Sequence, residues 1–236
     1  MAIKAAIFDV FGTVVDWRSG VAAVADRAFA ARGIVHDAEA FADDWRGEYQ
    51  PAMERVRSGA RGYVALDDLH RENLDRVIEA RGLEDAFDAP ARDALNKAWE
   101  ALPPWPDSVS GLSAIRRLMP IAPCSNGSIA LMTGLARFGG LPWDCVLGAE
   151  IAQGYKPDPK VYLASCAALR LSPEEVVMVA AHNDDLAAAR AAGLKTAFVA
   201  RPDEKGRGLG ETKPAADWEF SAEDLEALAR RLKAAA

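Results

Sequence analysis

Apolar positions along the chain fall into two patterns. Short, nearly continuous runs stand at Ala5–Val10, Pro120–Cys124, Val176–Ala181 and Thr196–Ala200, with a weaker one at Trp143–Leu147. Runs of this length predict strands covered on both faces. Between and beyond them, SGLSAIRRLM, SIALMTGLARFG, PKVYLASCAALR and DLAAARAAG carry apolar residues at helical spacing. Strand alternating with helix predicts βαβ units with right-handed crossovers, hence a doubly wound, Rossmann-like parallel sheet of α/β class.

From Trp17 to Leu102 the pattern changes. Segments such as HDAEAFADDWRGEYQPAMERVRSG, DDLHRENLDRVIEARG and PARDALNKAWEAL keep a helical period, carry many charges and contain no strand-like run. The expected organisation is therefore a core of residues 1–16 and 103–236, interrupted by an all-helical insertion of residues 17–102 that ends in the proline-rich LPPWPDS. RPDEKGRGLGETKP reads as a long polar loop. The tail SAEDLEALARRLKAAA reads as a last helix with Ser221 as N-cap and Asp224 at the capping-box position.

Composition narrows the function classes. With 236 residues, half of them hydrophobic and 27% charged, the chain has the make-up of an ordinary globular protein. A net charge of −7 argues against a nucleic-acid partner. It also means that any anion must be met by a local positive pocket. Cys124, Cys145 and Cys166 form neither a CxxC pair nor a zinc pattern, and so sparse an odd set fits a reducing compartment. Asp9 interrupts the N-terminal apolar stretch, so no secretory signal is expected, and no run has the length of a membrane span. The expected location is the cytoplasm.

In open α/β sheets, sites form beyond the carboxyl ends of the strands. The residues there are Asp9 after the first run, Ser125-Asn126-Gly127 after the second, and His182-Asn183-Asp184-Asp185 after the third. Lys156 stands in the turn-like GYKPDPKVY, where Pro157 favours an extended backbone before it. These groups are expected to converge.

A strand followed by D-x-x-G-T, then S-N, K-P and D-D in this order resembles the haloacid dehalogenase (HAD) superfamily across the whole chain. The helical insertion falls where that superfamily carries its cap domain. Phosphatases of the superfamily usually place an acid two residues after the nucleophile, to protonate an alkoxide leaving group. Here that residue is Phe11. FDVFGTVVD, CSNGS, YKPDPKVY and the cap segment DWRGEY are similar to the first three motifs and the arginine segment of the type II (S)-2-haloacid dehalogenases.

The resemblance implies hydrolytic dehalogenation of short 2-haloalkanoic acids to 2-hydroxy acids, a carbon–halide hydrolase that extends to the haloacetates, with no metal and no cofactor. Asp9 would attack in line, expel halide and form an aspartyl ester that water then opens. Lys156 would counter its charge, and Thr13 and Asn126 would orient it. Ser125 would donate to the substrate carboxylate, and Arg46 would stabilise the departing halide. Tyr162, Trp17 and Phe11 would line the pocket. The partners implied are the 2-haloacid and the halide ion, with neither nucleic acid nor membrane, and a homodimer is consistent with the family.

The fourth motif departs from that pattern. Aligned through Asp185, the chain has Ala180 where those enzymes carry Ser and His182 where they carry Asn. His182 then reads either as the base that positions or deprotonates water, with Asp185 orienting the assembly, or as a neutral histidine closing a strand end. Arg46 competes with Arg55, Arg57, Arg61 and Arg71 for the cap role. A Mg²⁺-dependent phosphatase using Asp9, Asp184 and Asp185, and a non-catalytic binding protein of the same fold, are the alternative readings.

Overall fold

The structure, a computed structural model, describes residues 2–235. Its strands are β1 (Ala5–Phe8), β2 (Ile121–Ser125), β3 (Leu147–Gly148), β4 (Val176–Ala180), β5 (Lys195–Val199) and β6 (Phe220–Ala222). They form one sheet in the order β3-β2-β1-β4-β5-β6, and every neighbouring pair is parallel. In register, Ile7 of β1 pairs with Ala122 on one side and Met178 on the other. The chain builds outward from β1 through β2 and β3, then returns to β4 on the opposite flank. That reversal makes the gap between β1 and its neighbours the topological switch point, where a site is expected.

Side-chain alternation divides the core into two. Ala6 and Phe8 of β1, Val177 and Val179 of β4, and Ala197 and Val199 of β5 face one layer. Helices α6 (Ser108–Arg116) and α11 (Leu225–Ala235) cover it. Ala5, Ile7, Met178, Ala180 and Phe198 face the other, against α9 (Pro159–Ala168) and α10 (Asn183–Ala191). Helices α7 (Ile129–Gly139) and α8 (Ala149–Ala152) connect β2 to β3 and β3 to α9.

Between β1 and β2 lie α1 (Trp17–Ala30), α2 (Ala38–Gly47), α3 (Tyr49–Arg57), α4 (Leu66–Ala80) and α5 (Ala89–Asn96), with single 3₁₀ turns at Glu84–Ala86 and Lys97–Glu100. Three of these helices start on an aspartate: Asp16, Asp37 and Asp88 accept from the backbone of Ser19, Ala40 and Ala91 at 2.9–3.0 Å. Their buried faces meet in an aromatic cluster of Phe29, Phe41, Trp45, Phe87 and Trp99. This cluster is continuous with the first sheet layer through Phe11 and Trp17.

Several expectations need correction. Of the Trp143–Leu147 run only Leu147 is strand, at the start of β3, and β1 ends at Phe8, so Asp9 stands just beyond it. Strand β6 was not foreseen. Ser221, expected as an N-cap, lies inside β6 and pairs with Phe198, while Asp224 caps α11 by accepting from Ala227 N at 2.6 Å. Three residues with mixed polarity carry no periodic signal, and their strand character comes from pairing with the edge of β5.

Candidate active site

Asp9 is anchored by its backbone, whose N–H donates to Val179 O at 2.9 Å. Its carboxylate meets three donors. Lys156 Nζ lies 2.9 Å from Oδ1, while Thr13 Oγ1 and His182 Nδ1 lie 2.7 and 3.1 Å from Oδ2. Burial works against ionising Asp9, but Lys156, His182 and Thr13 outweigh it and hold the carboxyl well below the ordinary carboxylate range. Thr13 is itself set by Ala181 N, which donates to its Oγ1 at 2.9 Å.

Lys156 also donates to Asp185 Oδ2 at 2.5 Å, and Tyr162 OH donates to Asp185 Oδ1 at 2.5 Å. Burial disfavours the ammonium, yet Asp185 and Asp9 raise its pKa well above the usual lysine value. For Asp185, burial is the dominant influence, and with the nearby Asp9 charge it pushes the carboxyl up despite Lys156. The backbone N–H of Lys156 donates to Asn126 Oδ1 at 2.8 Å, and Arg57 of α3 donates to its carbonyl at 3.0 Å. The Lys156–Pro157 peptide is cis.

Above these groups opens a cavity of about 880 Å³, walled by Asp9, Phe11, Trp17, Arg46, Lys156 and His182 among others. Arg46 comes from α2 and lies over the ring of Tyr49 at 3.9 Å and of Trp17 at 5.2 Å. Its Nη1 is buried without a hydrogen-bond partner among the described residues. Phe11 turns an edge to Trp99, with ring centroids 5.7 Å apart.

Asp9, Phe11, Trp17, Arg46, Asn126, Lys156, His182 and Asp185 all reach the cavity wall, and Thr13, Ser125 and Tyr162 stand behind it. Three details differ from expectation. Ser125 Oγ accepts from Gly127 N at 3.1 Å, which turns it into the loop and away from the cavity. Asn126 holds the backbone of Lys156 instead of the Asp9 carboxylate. His182 is not oriented by Asp185, which Lys156 and Tyr162 occupy; its Nε2 lies 3.0 Å from both oxygens of Glu204. Glu204 was missed because it sits in the stretch read as a polar loop. Its one signal there was a carboxylate beside two glycine-containing turns, which does not separate it from Asp203 or Glu211.

Lys156 Nζ pairs with one oxygen of Asp9 and one of Asp185. No group of three or more His, Cys, Asp or Glu among the described residues is arranged to hold a metal.

The family model for haloacid dehalogenase-like hydrolases matches residues 3–193. The chain is 31% identical over 202 residues to (S)-2-haloacid dehalogenase 1 of Pseudomonas sp. (strain CBS-3), covering 84% of this chain and 85% of the relative. Among solved structures, a defluorinating L-2-haloacid dehalogenase superposes with a TM-score of 0.94 at 47% identity, covering 98% of this chain and 95% of the other. Another L-2-haloacid dehalogenase gives 0.95 at 44% identity, covering 99% and 100%. The α/β fold is thus shared with these dehalogenases over nearly the whole chain. The chain belongs to the haloacid dehalogenase-like hydrolases.

Proposed function

We propose that this enzyme hydrolyses short 2-haloalkanoic acids, (S)-configured where chiral, to 2-hydroxy acids through an ester on Asp9. The observation that carries the reading is an ionised Asp9 facing, across the apolar Phe11, an Arg46 guanidinium with an unsatisfied Nη1. A carboxylate nucleophile, a cation set to receive an anionic leaving group and a phenylalanine in place of an acid two residues after the nucleophile suit a leaving group that departs unprotonated. Asp9 attacks Cα of the substrate, the carbon–halogen bond breaks, and halide leaves toward Arg46. Lys156 counters the charge of Asp9, and Thr13 orients it. Asn126 acts by holding Lys156, Asp185 and Tyr162 act by fixing its ammonium, and Trp17 walls the pocket. Ser125 supports the loop that carries Asn126. Water then opens the ester and regenerates Asp9.

In the same reading, residues 17–102 act as a cap over the core of residues 1–16 and 103–236. The enzyme works in the cytoplasm, in keeping with three unpaired cysteines. No helix among the described residues is long and apolar enough to cross a membrane.

The test is halide release from fluoro-, chloro- and bromoacetate and from both enantiomers of 2-chloropropionate, with and without EDTA. Chloroacetate and the (S)-enantiomer should be turned over equally in both conditions. Phosphomonoester turnover abolished by EDTA, with no halide release, would overturn the reading.

A further inference from the structure

A buried carboxylate in a polar surface loop is costly unless it is paired for a purpose. Glu204 is only 2% exposed, although Asp203 and Lys205 on either side are exposed. The loop is pinned by Arg201, which donates to Thr13 O at 2.8 Å and to both oxygens of Asp107 at 2.8 Å. Trp17 Nε1 donates to Glu204 Oε1 at 3.1 Å. Gly12 gives the carboxylate its room: a Cβ there would lie 2.3 Å from Oε1, and its φ of +86° favours glycine in any case. Trp17 and the space at Gly12 thus hold one acid whose remaining side-chain hydrogen bond is with His182 Nε2.

Resting on the reading of Asp9 as nucleophile, we propose that Glu204 is the positioning residue of a Glu204–His182 pair that activates the water hydrolysing the Asp9 ester. His182 bridges two carboxylates, with Nδ1 3.1 Å from Asp9 Oδ2 and Nε2 3.0 Å from Glu204. The charged groups around it are Asp9 from the end of β1, Glu204 from the loop after β5, Asp184 and Asp185 from its own helix, Lys156, and Arg46 across the cavity. Burial opposes the imidazolium, but Asp9 and Glu204 outweigh it, so the ring is protonated while Asp9 is a free carboxylate. It is then a donor that fixes the nucleophile and cannot serve as a base.

Alkylation changes this. The ester is neutral, so one of the two anions holding the imidazolium is gone, and the Nδ1 proton leaves to solvent. Glu204 keeps the Nε2 proton and presents a bare Nδ1 beside the ester. Water adds its oxygen to Cγ of Asp9 and its proton to Nδ1. Collapse breaks the bond from Cγ to the substrate oxygen, and the alkoxide takes the Nδ1 proton to leave as the 2-hydroxy acid. Asp9 then gives its acid proton back to Nδ1, which restores the resting pair. The balance is one haloacid and one water in, and one hydroxy acid, one halide and one proton out.

The experiment compares wild type, Glu204→Gln and Glu204→Asp in rapid-quench turnover of chloroacetate, with intact-mass detection of alkylated Asp9. Glu204→Gln should give a halide burst of about one equivalent per site. The ester should then accumulate, its hydrolysis slowed by about 10²–10⁴-fold. Glu204→Asp should fall between the two, and the rise of ester hydrolysis with pH should flatten in Glu204→Gln. Unchanged turnover without ester, or loss of the burst in a folded variant, would overturn the proposal. If wild type releases no halide, it is the dehalogenase reading that fails. A second measurement needs no variant: ¹⁵N spectra of the His182 ring should show both nitrogens protonated near neutral pH in the free enzyme. A neutral ring there would overturn the proposal even if Glu204→Gln did not fold.

Discussion

The ammonium of Lys156 stands 2.9 Å from the Asp9 carboxylate, and the two side chains are only 7% and 10% exposed. Asp185 completes the buried cluster from the other side at 2.5 Å. Removing one member of a buried charge cluster costs more than the pair contributes, because the remaining charge is left uncompensated. Lys156→Met should therefore abolish halide release and destabilise the fold by about 3–5 kcal/mol. In a chain of this size that is a fall in Tm on the order of 10 °C. Calorimetry and a chloride electrode check the two halves; a variant that keeps wild-type Tm would show that Lys156 carries no buried charge in the folded state.

Much of this site was legible before any coordinates. Strand ends mark where side chains meet in a doubly wound sheet, so Asp9, Asn126 and His182 could be placed together from the runs, and Lys156 joined them from its turn-like GYKPDPKVY. What could not be read was partnership. Asp185 lies three residues from His182 and was assigned to it, but helix α10 turns Asp185 toward Lys156 and leaves His182 to an acid from a loop 22 positions onward. A loop has no period that says which of its residues points inward. Glu204 is set there by tertiary bonds from Arg201 and Trp17 and by the space at Gly12, none of which is local. Strand β6 was lost for a related reason, since its pairing edge and not its composition makes it a strand.

Arg46 tests whether a flat cation is needed. Its guanidinium lies over Tyr49 at 3.9 Å and Trp17 at 5.2 Å while Nη1 is left without a partner. Lysine keeps the charge but neither stacks in this way nor presents a planar fork. Arg46→Lys should slow the halide-releasing step by about 10²–10³-fold, the magnitude seen when one preorganised donor is lost. No ester should accumulate, because alkylation becomes the slow step. Rapid-quench mass spectrometry reads this directly, and ester build-up in Arg46→Lys would assign the arginine to the second step.

His182 should also leave a signature in stability. Its folded pKa lies well above the 6.5 of a free histidine, held there against burial by Asp9 and Glu204. A raised folded pKa gives stability that is complete below the unfolded value and is lost as pH rises through the folded one. The advantage of wild type over His182→Gln in urea unfolding should thus be larger near about pH 6 than near about pH 9. Asp9 works in the opposite sense: its lowered pKa gives stability present above the ordinary carboxylate value of 3.8 and lost as pH falls through the folded one. A wild-type advantage that stays constant across the neutral to alkaline range would mean that His182 is already neutral in the fold.

Phe11 decides between leaving groups, and the decision can be put to trial by restoring the acid. Its ring is 2% exposed and sits edge-on to Trp99, with His70 at a centroid distance of 6.3 Å. His70 offers no charge to an incoming carboxylate, since burial, followed by the Arg46 charge, drives its pKa well below the usual histidine value. Lys156 is already shared between Asp9 and Asp185. An aspartate at position 11 would therefore lose the packing of a buried aromatic ring, worth about 3–5 kcal/mol. It would also place a second carboxylate near the nucleophile without a cation of its own. Phe11→Asp should lose halide release and gain no phosphatase activity toward p-nitrophenyl phosphate with added Mg²⁺, because Lys156 stays paired with Asp9 and Asp185 and the new carboxylate has no partner to fix it. Magnesium-dependent phosphate release from this variant would show instead that the missing acid alone separates the two chemistries in this fold.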